Sequence, residues 1–226
     1  MPDQTPTNQD YIAYIEATNV ETYRKAGNLN LFMMCESPNR AAFRELPPRY
    51  SFRLCRQDEI ETWKRVAVEQ PYIDSVTDYF AQVYARRADE FFDRCLFVCN
   101  SNAEPVSTCC LWRAYGLVET IGWFRTLPAY EGLGIGRALL GRLLEDAEFP
   151  VYLHTQPTSA RAIKLYSDFG FRLLTDPVIG FRENHLTESL PILKKVMPEK
   201  DYATLQTVAA PQSFLEAVKT SEVAEF

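Results

Sequence analysis

The sequence predicts an α+β fold built on a mixed, mostly antiparallel sheet flanked by helices, and three observations predict it. Three short apolar runs separated by turn residues lie between positions 96 and 125, a glycine-rich turn follows at 131–136, and strands then alternate with helical spacing to position 175. A chain of 226 residues with 46% hydrophobic and 13% aromatic residues is ample for a packed core.

In chain order, Tyr50 to Cys55 reads as a strand, and Gln57 to Glu69 as a helix with Ile60, Trp63 and Val66 on one face and Asp58 or its neighbour as cap. Pro71 breaks that helix, and Asp74 to Arg87 forms a second with Val76, Phe80, Val83 and Tyr84 in a stripe. Leu96 to Cys99, Val106 to Ala114 and Leu117 to Arg125 form an antiparallel meander joined at Asn100–Pro105 and Tyr115-Gly116. A helix to about Asp146 follows the glycine turn, then a strand Val151 to Thr155, a helix Ser159 to Phe169 stopped by Gly170, and a strand Phe171 to Thr175. Pro177 to Met197 reads as a loop and a helix.

The segment Glu131-Gly132-Leu133-Gly134-Ile135-Gly136-Arg137-Ala138 carries the most chemistry. Glycines let a ligand approach the backbone, and the first amides of the following helix have no partner inside it, so the turn suits an anion such as a pyrophosphate. A dinucleotide fingerprint fails in both registers, because Leu139 and Arg137 stand where Gly or Ala is needed. A Walker loop also fails, since Gly136-Arg137-Ala138 lacks the lysine and the hydroxyl that would hold magnesium. A phosphate loop without a metal remains.

At these residues the chain resembles the GNAT superfamily of N-acetyltransferases. Their acyl-CoA loop, Gln/Arg-x-x-Gly-x-Gly/Ala, is matched by Glu131 to Gly136 after a strand ending Thr126-Leu127-Pro128, with Glu131 as the one departure. The family's second run, Asn-x-x-Ala-x-x-Leu-Tyr-x-x-x-Gly-Phe, is matched from Ser159 to Phe171 at every position but the first. The resemblance spans roughly residues 50 to 175. It implies a three-layer α/β/α sandwich and acetyl-CoA as co-substrate, with no metal. Phe124, Arg125 and Thr126, the loop residues Glu131, Gly132, Leu133, Gly134, Ile135, Gly136, Arg137 and Ala138, and the helix residues Ser159, Arg161, Ala162, Lys164 and Tyr166 would bind the cofactor. The family contacts phosphate at the position of Glu131 mainly through backbone amides, so binding is expected to survive that change.

For catalysis the resemblance puts Tyr166 where the phenol protonates the departing thiolate. Amine attack also calls for a base, because an amine of pKa about 10.4 is charged at neutral pH. Glu119 lies near the family's glutamate base but one residue out of step, which a β-bulge in its strand would correct. His154, at the end of a strand, is the alternative base; Glu119 reads equally well as a solvated surface glutamate, and a lone histidine such as His154 is more often structural. Six cysteines show no C-x-x-C pair and read as small buried hydrophobes rather than ligands or nucleophiles.

The expected activity is acetyl transfer to a primary amine of a small molecule or protein by direct attack in a ternary complex, with a small-molecule or peptide amine as acceptor. The alternatives are a non-catalytic acyl-CoA sensor, and an acyltransferase using another acyl group or an O-acceptor. A net charge of −6 speaks against a nucleic-acid partner, no run of 18 apolar residues suggests a membrane, and the polar start Met1-Pro2-Asp3-Gln4 makes the expected location cytoplasmic, as monomer or homodimer. The expected division is an N-terminal extension 1–49, an acetyltransferase domain 50–198 and a tail 199–226. The domain lacks its last antiparallel strand, and Leu29 to Cys35 in the extension is expected to supply the closing edge beside 151–155 or 171–175.

Overall fold

A computed structural model of the chain describes residues 26–219 and 223–225. They form two compact units, one of Ala42–Glu148 with the described residues of 221–226, the other of the described residues of 1–41 with 149–219. Both mix helices with mostly antiparallel strands, the α+β class expected. No helix among the described residues is long and apolar enough to cross a membrane.

The chain enters the second unit through β1 (Leu31–Cys35) and then builds the first. There β2 (Ser51–Leu54) leads into a short 3-10 turn and α1 (Ile60–Ala67). The cap expected at Asp58 or its neighbour falls on Glu59, the N-cap residue of α1: Arg56 N–H donates to its carboxylate at 3.1 Å, and Arg53 grips the same carboxylate at 2.6 and 2.8 Å. The single helix expected over 74–87 is instead α2 (Ile73–Tyr79), a π-helical turn Phe80–Tyr84 and a 3-10 turn Ala85–Arg87, followed by α3 (Ala88–Arg94). The wider turn brings Tyr84 into the cluster of Trp63, Phe80, Phe91 and Trp112, whose ring centroids lie 4.8–6.2 Å away.

The meander is β3 (Cys95–Cys99), β4 (Pro105–Ala114) and β5 (Val118–Thr126), with β2 antiparallel to β3. β5 carries the anticipated bulge. Thr108 faces Arg125 and Cys110 faces Gly122, so Trp123 and Phe124 together oppose one residue, and Trp123 has φ +54°. A 3-10 turn and the glycine loop then lead into α4 (Ile135–Glu145), whose Leu139, Leu140, Leu143 and Leu144 are all buried.

The second unit continues with β6 (Val151–Thr155), α5 (Ala160–Asp168) and β7 (Arg172–Leu174). A small hairpin of β8 (Val178–Ile179) and β9 (Arg182–Glu183), not foreseen, precedes α6 (Leu186–Val196). β1 lies between β6 and β7, antiparallel to both: Leu31 to Cys35 pair with Thr155 to Val151, and Met33 and Met34 with Leu173 and Arg172. It is therefore an inner strand and not the expected closing edge. The physical reason is in its composition, since Leu-Phe-Met-Met-Cys has no polar face and all five residues are fully buried.

The edge position beside β7 goes to β10 (Thr207–Val208), which runs parallel to it. Residues 199–226, expected as a tail, thus contribute a strand, together with α7 (Glu199–Tyr202) and α8 (Gln212–Ala217), whose Phe214 stacks on Tyr152 at 3.8 Å.

Deleting residues 1–36 should give insoluble or unfolded protein, because β6 and β7 would each expose an apolar edge once β1 is gone. A soluble truncated chain with an unchanged circular dichroism melt would contradict this role of β1.

Candidate acyl-CoA site

Gly132 and Gly134 both adopt left-handed backbone, at φ +74° and +82°, and Gly134 is the N-cap of α4. A Cβ built on Gly132 would meet nothing within 4 Å, and one on Gly134 only Pro47 Cγ at 4.0 Å, so the space over both is open. Gly132, Leu133 and Gly134 are exposed to solvent. The amides of Ile135, Gly136 and Arg137 begin the helix and have no acceptor inside it, while Ala138 N–H closes the first turn onto Gly134 at 3.0 Å. This is an open cradle of donors at the positive end of an 11-residue helix, and it fits a phosphate group.

Gly136 does something else. Its Cβ would lie 3.3 Å from Phe124 Cζ and 3.4 Å from Thr126 Oγ1, so the missing side chain lets α4 pack against β5. Phe124 and Thr126 are thereby committed to packing, Thr126 also sharing a 2.9 Å hydrogen bond with Ser107 Oγ. The Arg125 guanidinium donates to the carbonyls of Val66 and Val68 at 3.0 and 3.3 Å, closing the carboxyl end of α1. Arg137 reaches the Ala42 carbonyl at 3.5 Å.

Glu119, on β5, is 4% exposed, and each of its oxygens meets a guanidinium: Arg94 Nη2 at 2.5 Å and Arg113 Nε at 2.8 Å. Burial pushes the Cys95, Cys99 and Cys109 thiols upward, and a side-chain hydrogen bond with Cys95, helped by burial, does the same for Cys55, away from the reactive thiolate. In the second unit burial likewise raises Cys35, to about 11.

In the second unit, Ser159 is the N-cap of α5 without a side-chain cap bond, and Lys164 is engaged by Asp168 one turn on. Arg161 and Ala162, on the same helix, are half-buried. Tyr166 is buried, its ring 5.8 Å from Phe171. The helix end explains the second motif: Phe171 N–H reaches Tyr166 O at 3.0 Å and Gly170 N–H reaches Ser167 O at 3.0 Å, a Schellman stop with Gly170 at φ +94°. That Gly-Phe pair terminates the helix and orders the turn that carries Tyr166.

His154 has both ring nitrogens occupied. Asn30 gives its side-chain amide to the Glu183 carbonyl, which leaves Asn30 Oδ1 to accept from His154 Nε2 at 3.0 Å; Arg182 then donates to Nδ1 at 3.3 Å. Burial, helped by the Arg182 charge, pushes the imidazole down to about 3, so it stays neutral.

A sequence profile of the Acetyltransferase (GNAT) family matches residues 56–171, just over half the chain. The chain belongs to the GNAT acetyltransferases. Solved structures of similar proteins include a GCN5-related N-acetyltransferase from Sphaerobacter thermophilus, at 20% identity and TM-score 0.42 over 56% of this chain and 42% of that one. A functionally unknown conserved protein from Staphylococcus epidermidis matches at 17% identity and TM-score 0.45 over 75% and 79%, and a GCN5-related N-acetyltransferase-like protein from Streptococcus suis at 16% and 0.39 over 73% and 64%. The chain spans less than half the length of the Sphaerobacter protein. A search of curated protein sequences finds no match.

The folded chain binds a proton at His154 only near pH 3, whereas the unfolded chain binds one near 6.5. Between those values the unfolded state holds more protons, so stability falls as pH drops, by up to about 1.4 kcal/mol per pH unit from this residue. Urea unfolding at pH 7 and pH 5 should show a smaller acid loss in His154→Gln than in wild type. An equal loss in both would refute the neutral, buried assignment.

Proposed function

We propose that the chain is an acyl-CoA-dependent N-acetyltransferase that moves an acetyl group to a primary amine of a small molecule or peptide by direct attack in a ternary complex. The observation that carries the reading is the open cradle at Gly132 and Gly134, which offers the donors of an 11-residue helix to an anion without a metal or a lysine. The amides from Gly132 to Arg137 hold the pyrophosphate of acetyl-CoA, Ala138 N–H being spent on the Gly134 carbonyl, and the pantetheine arm runs beside the Phe124–Thr126 segment. Glu131 and the net charge of −6 oppose phosphate binding electrostatically, which leaves the backbone donors to supply the attraction.

Of the three candidate catalytic groups, Tyr166 is carried into the mechanism. The phenol donates its proton to the leaving thiolate, and a donor of this kind acts mainly in the transition state. Glu119 and His154 have protein partners on both of their functional atoms, so on this reading each holds local structure and solvent water takes the proton that the amine loses on attack. The competing reading is a sensor that binds acetyl-CoA without turnover. Acetyl-CoA binding with no release of CoA thiol across a broad amine panel would favour it.

Gly134→Val should abolish acetyl-CoA binding in isothermal titration while the protein stays folded, since a side chain at φ +82° costs about 1–2 kcal/mol and projects into the cradle. Gly136→Val should instead lower the melting temperature, by driving a side chain into Phe124. Wild-type affinity in Gly134→Val would remove the basis of the assignment.

Tyr166→Phe should lower turnover by roughly 10²- to 10⁴-fold with little change in acetyl-CoA affinity. A variant as fast as wild type would reduce Tyr166 to a packing residue.

A further inference from the structure

Glu225 is received by the first unit as a ligand would be. Its Oε2 accepts three donors at once, Arg87 Nη2 at 2.9 Å, Trp112 Nε1 at 3.1 Å and the Tyr115 backbone N–H at 2.8 Å. Its own backbone N–H donates to Tyr115 Oη at 3.3 Å, so one residue is read through both side chain and main chain. The Arg87 guanidinium lies 4.1 Å over the Trp112 ring and is held from behind by the Arg113 carbonyl at 2.9 Å and by Glu90 at 3.1 Å.

Two features show that these groups are built to receive a carboxylate. Trp112 is 1% exposed, and a buried indole N–H is costly to leave without an acceptor. Tyr115 and Gly116 are the central residues of the β4–β5 hairpin turn, both left-handed at φ +57° and +70°. Asparagine or aspartate would occupy the first of these with less strain, and tyrosine there supplies the hydroxyl that the peptide N–H of Glu225 meets. Arg87 ends the 3-10 turn that follows the π-helical turn, which fixes its height over Trp112.

We propose that Arg87, Trp112 and Tyr115 form a receptor for a glutamate-bearing peptide segment, filled in the isolated chain by its own Glu225. The ligand class follows from the donors: a guanidinium, an indole N–H and an amide N–H converge on one carboxylate oxygen, while a phenol oxygen accepts the N–H of the same residue. The inference is independent of the acetyltransfer reading. Tethering keeps Glu225 at an effective concentration in the millimolar range, so a free peptide competes poorly with it.

The test uses the 226-residue chain carrying Glu225→Ala, titrated by fluorescence anisotropy with a labelled peptide of residues 221–226, Ser-Glu-Val-Ala-Glu-Phe. The peptide should bind this variant saturably, and the wild-type chain about tenfold more weakly or worse, because the receptor is already filled. A peptide with glutamine in place of the glutamate at position 225 should bind the variant about tenfold more weakly, as should the unchanged peptide on Glu225→Ala/Arg87→Leu. The glutamine peptide leaves the protein untouched, so misfolding of the Arg87 variant cannot hide the answer. Equal binding of the glutamate and glutamine peptides, or no saturation on Glu225→Ala below about 1 mM, overturns the receptor, and equal affinity of the wild-type chain overturns its filling in cis.

Discussion

The bulge in β5 is the constraint around which the first unit is organised. A tryptophan at φ +54° is strained, and it persists only where its surroundings over-determine it. Here the Trp123 indole N–H donates to the Tyr84 hydroxyl at 2.9 Å, and Tyr79 packs edge-on to both rings at 5.3 Å. Tyr84 reaches that position because the preceding helix widens into a π turn, and because Gly122 has no side chain to meet its hydroxyl. Burial holds the phenol protonated. The cluster therefore fixes where β5 stops pairing regularly, and hence how the strand presents Phe124 to Thr126 ahead of the glycine loop.

The loop shows three glycines with two different jobs. Gly132 and Gly134 supply backbone that other residues adopt only with strain and leave the space above them open, whereas Gly136 supplies close approach of α4 to β5. The spacing G-x-G-x-G looks uniform, but only its first two glycines leave open space at the start of α4, where the helix dipole is positive and Glu131 adds a negative charge.

In the second unit the corresponding constraint is β1. Its five buried residues pair with β6 and β7 together, and the segment leaving it reaches α5: Asn39 N–H and Asn39 Nδ2 donate to the carbonyls of Phe169 and Asp168, while Gly170 makes room for the Ser37 carbonyl. The same strand brings Asn30 to His154, which sets the histidine's tautomer. One inserted strand thus ties down both the helix that carries Tyr166 and the histidine that sequence reading offered as a base.

Local chemistry determined much of this molecule without tertiary help. The glycine turn before a leucine-rich helix, the Gly170 stop after Tyr166 and the apolar meander are properties of short segments, and each forms where its residues demand it. Only the folded chain decided the rest, because the deciding partners are far apart in sequence. Glu119 finds Arg94 and Arg113, His154 finds Asn30 and Arg182, and Glu225 finds Arg87 and Trp112, and in each case a residue that reads as exposed or reactive from sequence is hydrogen-bonded to distant partners. The apolar run at 31–35 is legible as a strand, but its inner place is a matter of pairing across more than a hundred residues, which no local pattern encodes.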